Sequence, residues 1–109
     1  MSQTHDLYGS TTLSMAELRH AVENTLDIAF SLHDSAYKGG EYFRAGDLGG
    51  EEFVIQRNTF EFDNEEEVAE PDYVQYPVIF WIAWTERGDE LREELTKITG
   101  LDFLRRMVR

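Results

Sequence analysis

The chain has 109 residues, 41% of them hydrophobic and 13% aromatic, which fits one domain around one core. Its 22 acidic and 10 basic side chains leave a formal charge of −12, a field that repels nucleic acid and anionic membrane and speeds encounter with basic partners. Cysteine is absent, which excludes disulfides and thiolate metal sites, and seven Phe, five Tyr and two Trp supply the burial that disordered chains lack.

Residues 1–12 are polar, with no basic region leading into an apolar stretch. They are expected to be a loose N-terminal segment and not a signal peptide, ahead of a single domain over 13–109. The longest apolar run, residues 78–84, is too short to span a bilayer. The expectation is a bacterial cytoplasmic protein with no membrane partner.

A helix is predicted over residues 15–26. Ser14 and Glu17 form a capping box, Leu13 and Leu18 stand at the staple positions, and Met15, Leu18, Val22 and Leu26 recur at helical spacing. The period then changes to two. Ile28, Phe30 and Leu32 alternate with Ala29, Ser31 and His33, which predicts a strand. Lys38-Gly39-Gly40 predicts a turn, residues 41–45 a second strand, Asp47-Leu48-Gly49-Gly50 another turn, and residues 51–58 a third strand, together a meander.

Residues 59–75 break the pattern and end in a turn at Glu70-Pro71-Asp72. Residues 78–84 are apolar on both faces and predict a central strand, with Trp81 or Trp84 buried in the sheet. Thr85 is the predicted cap of a second helix over 86–98, with Leu91, Leu95 and Ile98 as its stripe and Gly100 just past its end. Residues 101–108 read as a last strand, with a short helix as the alternative. The fold class is α+β: an antiparallel sheet of about five strands with two helices packed on one face, in the order α-β-β-β-β-α-β.

Catalytic patterns are missing. His5, His20 and His33 show no metal-binding spacing, the serines sit in no nucleophile elbow, and the paired glycines belong to no phosphate loop. No cofactor or metal is expected. The sharpest feature is residues 58–86, which hold eight acids and neither Lys nor Arg. Aromatic rings are interleaved with the acids, as a surface for a basic protein requires: rings give desolvated contact area and carboxylates pair with Arg or Lys. The candidate partner-binding residues are Phe60, Glu61, Phe62, Asp63, Glu65, Glu66, Glu67, Glu70, Asp72 and Tyr73. A calcium loop is excluded, because Glu66 and Asp72 stand where the EF-hand needs Gly and Glu. Arg105, Arg106 and Arg109 gather at the other end, where salt bridges account for them.

The segments EFDNEEEVAEPDY, YPVIFWIAW and TERGDELREELTKITGLDFLRR, with the glycine hairpins GGEYFRAG and GGEEFVIQRN, resemble the small acidic immunity proteins of bacterial toxin–immunity systems, of the contact-dependent inhibition or polymorphic-toxin kind. The resemblance implies a single cytosolic, non-enzymatic domain that binds and blocks a cognate toxin, often a basic nuclease. It carries no catalytic or cofactor residues. Two other classes compete: a non-catalytic adaptor or assembly module, and a small ligand-binding domain or enzyme with a pocket between the first helix and the sheet, lined by Tyr42, Arg44 and Trp81.

Because no ligand spacing is present, thermal melts with and without EDTA are expected to coincide. A melting point several degrees lower in chelator would contradict this.

Overall fold

The structure, a computed structural model, describes residues 2–47 and 49–108, the side chain of Phe62 excepted. In chain order the elements are β1 (Thr4–Ser10), α1 (Met15–Leu26), β2 (Ser31–Ser35), β3 (Gly40–Gly46), β4 (Glu52–Arg57), β5 (Thr59–Phe62), β6 (Glu65–Val68), β7 (Val78–Thr85), α2 (Gly88–Leu95) and β8 (Asp102–Val108). Short 3-10 turns occupy Ala36–Lys38 and Pro71–Tyr73. The α+β class stands, but the described strands form an antiparallel sheet of six, ordered β2-β3-β4-β7-β1-β8, and a separate pair, β5-β6. The expected count of about five and the order α-β-β-β-β-α-β are thus corrected at two places, the N-terminus and residues 59–68.

The N-terminal correction is the larger one. Residues 4–10 are not loose but form β1, paired on both sides, with β7 and β8. Tyr8 and Leu7 are buried, and so is the Asp6 carboxylate. A buried carboxylate is tolerable only when paired. Arg106 donates to it from Nε at 2.9 Å and Nη2 at 3.0 Å, and from Nη1 to Asp89 at 2.6 Å. These two acids hold the guanidinium pKa above its ordinary value. The partner that makes a polar N-terminus fit for a central strand therefore lies a hundred residues away.

The first helix forms as read. Glu17 N–H donates to Ser14 Oγ at 3.1 Å and Ser14 N–H to Glu17 Oε1 at 2.9 Å, and Leu18 and Val22 are buried. The backbone bond from Ser14 pulls the Glu17 carboxyl below its usual range. The second helix is shorter than 86–98. Thr85 ends β7, donates to Glu51 Oε2 at 2.7 Å, and accepts from Arg87 N–H at 3.1 Å, so it braces the approach to α2 from the strand. Leu91, Leu95 and Ile98 keep their stripe, Ile98 from the turn beyond the helix.

Both helices cover one face. Leu18, Val22, Leu91, Leu95 and Ile98 share a core with Tyr8, Phe53, Ile55, Phe80 and Ile82, which recur on one side of β1, β4 and β7. The first predicted meander strand is displaced: Ile28 and Phe30 pack on the core from the link after α1, and β2 begins only at Ser31. Leu32 is 55% exposed.

The opposite face has no helix, yet Leu7, Val54 and Ile79 are buried there. Residues 69–76 cross it. Tyr73 Oη donates to the Leu104 carbonyl at 3.1 Å, Tyr76 Oη donates to Asp102 at 2.9 Å, and Arg105 pairs with Glu70 at 3.1 Å. Gly9 permits the approach, since a Cβ there would meet the Tyr76 ring and Leu104 within 3 Å.

Neither indole is fully buried, contrary to expectation; Phe80 takes the central position instead. Trp81 is half-buried on the helix-free face, with Nε1 donating to Gln56 Oε1 at 2.9 Å. Trp84 is 41% exposed at φ +55°, because the β1–β7 register slips between Thr4 and Asp6 and β7 carries the extra residue. Acrylamide should quench Trp84, alone in Trp81→Phe, markedly more than Trp81, alone in Trp84→Phe. Equal quenching constants would contradict this placement.

Candidate functional site

The acidic-aromatic segment is ordered as a hairpin and an anchor. Asp63 and Asn64, at φ +53° and +63°, make the two-residue turn of the hairpin, since both positive angles suit a type I′ connection. The register sets Phe60 against Glu67, Glu61 against Glu66 and Phe62 against Glu65. Alternation places Phe60 with Glu67 on one hairpin face and Glu61 with Glu66 on the other.

The base of the hairpin is held by Asn58, which is buried. Its side-chain Oδ1 accepts from Glu70 N–H at 2.8 Å and its Nδ2 donates to the Tyr73 carbonyl at 2.9 Å. Its backbone carbonyl accepts from Ala69 N–H at 2.7 Å, and its own N–H donates to the Pro77 carbonyl at 3.0 Å. The excursion thus leaves and rejoins the sheet at one residue. The hairpin also rests on the 3-10 turn at Ala36–Lys38, where Gly39, at φ +79°, has no room for a Cβ beside the Thr59 carbonyl. Arg57 donates to the Gly39 carbonyl at 3.1 Å and lines a surface pocket of about 340 Å³ with Phe60, Glu61 and Glu66.

The ten candidate residues therefore separate into two groups. Glu61, Asp63, Glu65, Glu66 and Glu67 are exposed on the hairpin, and Phe60 is half-buried beside them. The Phe62 side chain lies outside the described residues, as do Arg109 and Leu48 of the predicted 47–50 turn. Glu70 and Tyr73 are structural anchors on the helix-free face, paired with Arg105 and the Leu104 carbonyl. Asp72 is exposed on the turn between them.

Most of the bases are engaged elsewhere, Arg57 at the hairpin pocket excepted. Among the described residues, six of the nine bases (Arg19, Arg44, Arg87, Lys97, Arg105 and Arg106) form ion pairs, and Arg92 lies 3.8 Å from the centre of the Phe103 ring. Arg87 and Glu51 share three hydrogen bonds, which hold the Glu51 carboxyl below its usual range. Among the described residues, no ion pair reaches Glu61, Asp63, Glu65, Glu66 or Glu67.

A catalytic arrangement has one geometric candidate, missed in the sequence: His33 Nε2 lies 2.8 Å from Ser31 Oγ. The two are alternate residues on one face of β2, a spacing that could have flagged them. Ser31 Oγ also donates to the Arg44 carbonyl at 3.2 Å. A hydroxyl that gives its one proton to that carbonyl can only accept from the imidazole, the reverse of nucleophile activation. His33 stacks on Tyr42 at 5.4 Å, and among the described residues no hydrogen-bonded carboxylate orients it. Nor does any group of three or more His, Asp or Glu among the described residues form a metal cluster. Among the described residues, no helix is long and apolar enough to cross a membrane.

The pocket expected between the first helix and the sheet is present as a groove of about 700 Å³, but other residues line it. Tyr42, Arg44 and Trp81 belong to the helix-free face, because Arg44 pairs with Val54, and Val54 with Trp81, one register step from the core row.

Comparison with known families and with curated proteins returns no match for this chain.

Directly opposed like charges weaken a strand pair. Converting one of them, Glu61→Lys, is expected to raise the melting temperature by about 1–4 °C. An unchanged or lower melting temperature would show that Glu61 and Glu66 do not face each other across the hairpin.

Proposed function

We propose that this chain is a toxin-neutralising immunity protein, a non-enzymatic domain that binds a basic partner, such as a nuclease toxin, through the β5-β6 hairpin and blocks it. One observation carries the reading. The hairpin sets Glu61 against Glu66 and exposes five acids without an internal base, while the bases elsewhere are mostly engaged. An arrangement that costs stability in the free protein is relieved when a cationic surface covers it.

The division of labour follows from the geometry. Glu65, Glu66 and Glu67 supply a one-sign field that reaches about 8 Å at physiological salt and sets the rate of encounter. Phe60 offers ring surface at the foot of the same hairpin. Glu70 and Tyr73 hold the hairpin's root to the sheet. A cluster of carboxylates on a projecting hairpin imitates the charge of a phosphate backbone, which is what a basic nuclease cleft accepts. Partner binding through this hairpin would also serve an adaptor or assembly module, and inhibition of the partner is what separates the two.

The test takes the product of the gene adjacent to this one, which the reading expects to be a basic nuclease toxin. Wild-type protein should abolish its activity at equimolar ratio. Glu65→Lys, Glu66→Lys and Glu67→Lys combined should slow association about tenfold or more and flatten its salt dependence. Binding without inhibition would favour the adaptor reading. An unchanged association rate and salt slope in the triple variant would remove the hairpin from the interface.

A further inference from the structure

The helical layer is narrower than the sheet. The axes of the outermost of six strands lie about 24 Å apart at about 4.8 Å per spacing, whereas the axes of two packed helices lie only about 10 Å apart. The helices take β4, β7 and β1, and the β2-β3 side overhangs. There Leu32 of β2 stands opposite Phe43 of β3 on the helix-facing side, and Leu32 is 55% exposed. The overhang and the first turn of α1 enclose the groove of about 700 Å³, within the size range of small-molecule sites. Its apolar surface comes from Met15, Leu32, Phe43, Pro77 and Val78.

The groove also reverses the sign of the protein. In a chain of net charge −12 its charged lining is two guanidiniums, Arg19 and Arg57, against one carboxylate, Glu41. Arg19 lies 5.0 Å from the centre of the Phe43 ring, so it flanks the apolar floor. Its one ion pair, to Glu23, is long at 3.5 Å and made through Nε, which leaves both terminal nitrogens for another acceptor. Glu23 is itself engaged, accepting from Phe30 N–H at 2.8 Å. Arg57 is fixed by bonds to the Gly39 and Glu41 carbonyls through Nη1, with Nη2 and Nε unused by them. Two forked cations at the border of an apolar channel match one ligand chemistry, a flexible apolar body with a single carboxylate.

The geometry points to a binding site for a small amphipathic carboxylate, of the medium-chain fatty-acid class, in the groove between α1 and the β2-β3 overhang. The chain lies along Leu32, Phe43 and Val78, and the carboxylate meets Arg19 and Arg57. The groove borders the hairpin, since Arg57 also lines the pocket of Phe60, Glu61 and Glu66, but its ligand does not depend on the partner-binding reading.

Titration calorimetry with decanoate tests it, with decanol as the uncharged control. The expected result is saturable 1:1 binding of decanoate with a Kd below about 1 mM. Leu32→Glu, a change at an exposed position, should weaken decanoate about tenfold or more by placing a charge on the apolar floor. Arg19→Gln should weaken decanoate about fivefold while leaving decanol unchanged. Melting curves of both variants should match wild type, so that lost binding reports the groove and not unfolding. No saturable decanoate binding, equal affinity for decanol, or a Leu32→Glu protein that binds as well as wild type would each overturn the assignment.

Discussion

Everything that distinguishes this domain from a plain sheet with two helices hangs on the buried amide of Asn58. Four hydrogen bonds, two from the side chain and two from the backbone, tie the end of β4 to Ala69, Glu70, Tyr73 and Pro77. A hydrogen bond in water exchanges one partner for another and is worth about 1 kcal/mol net, but a buried group left without its partner costs about 1–3 kcal/mol. The clasp is therefore better seen as a constraint than as a store of stability. With Asn58 in place, residues 59–68 are free to extend as a hairpin while residues 69–76 lie down on the helix-free face.

That constraint explains two features that otherwise look unrelated. The helix-free face keeps Leu7 and Ile79 dry because Tyr73 and Tyr76 are steered over β1 and β8, and Gly9 leaves them the space. Among the described residues the hairpin acids form no ion pair, and the same crossing gives Arg105 to Glu70 instead. Charge segregation in this protein follows from topology: paired acids lie on the sheet and helices, and the hairpin acids project beyond them. The Asp6–Arg106 pair plays the matching role at the other end, where it joins the first and last strands below α2.

Local signals were legible in the sequence and distant ones were not. The Ser14–Glu17 box and the run at 78–84 contain their own explanation, and helix α1 and strand β7 form where those signals stand. Residues 4–10 look loose because Asp6 reads as a solvated charge until Arg106 is set beside it. The hairpin was hidden by its turn, since Asp63-Asn64 lacks the glycine that usually marks a type I′ connection although both residues tolerate positive φ. Thr85 shows the opposite error: a good capping residue is drawn into β7, where burial and a bond to Glu51 outweigh the helix signal. Within the candidate site, composition located the acids but could not separate Glu70 and Tyr73, which hold the segment down, from Glu61 to Glu67, which it displays. That distinction requires knowing what lies on the neighbouring strand.

The most direct test of this account is native-state amide hydrogen exchange at Ala69 and Glu70, in the wild type and in Asn58→Ala. Both amides donate to Asn58, one to its backbone and one to its side chain. In the wild type both should be strongly protected. In the variant Glu70 should lose its protection and Ala69 should follow as the segment loosens, while the amides of Ile55 and Phe80 in the sheet centre stay protected. Ala69 and Glu70 amides that exchange freely in the wild type, or that keep full protection in the variant, would contradict the claim that Asn58 holds the excursion in place.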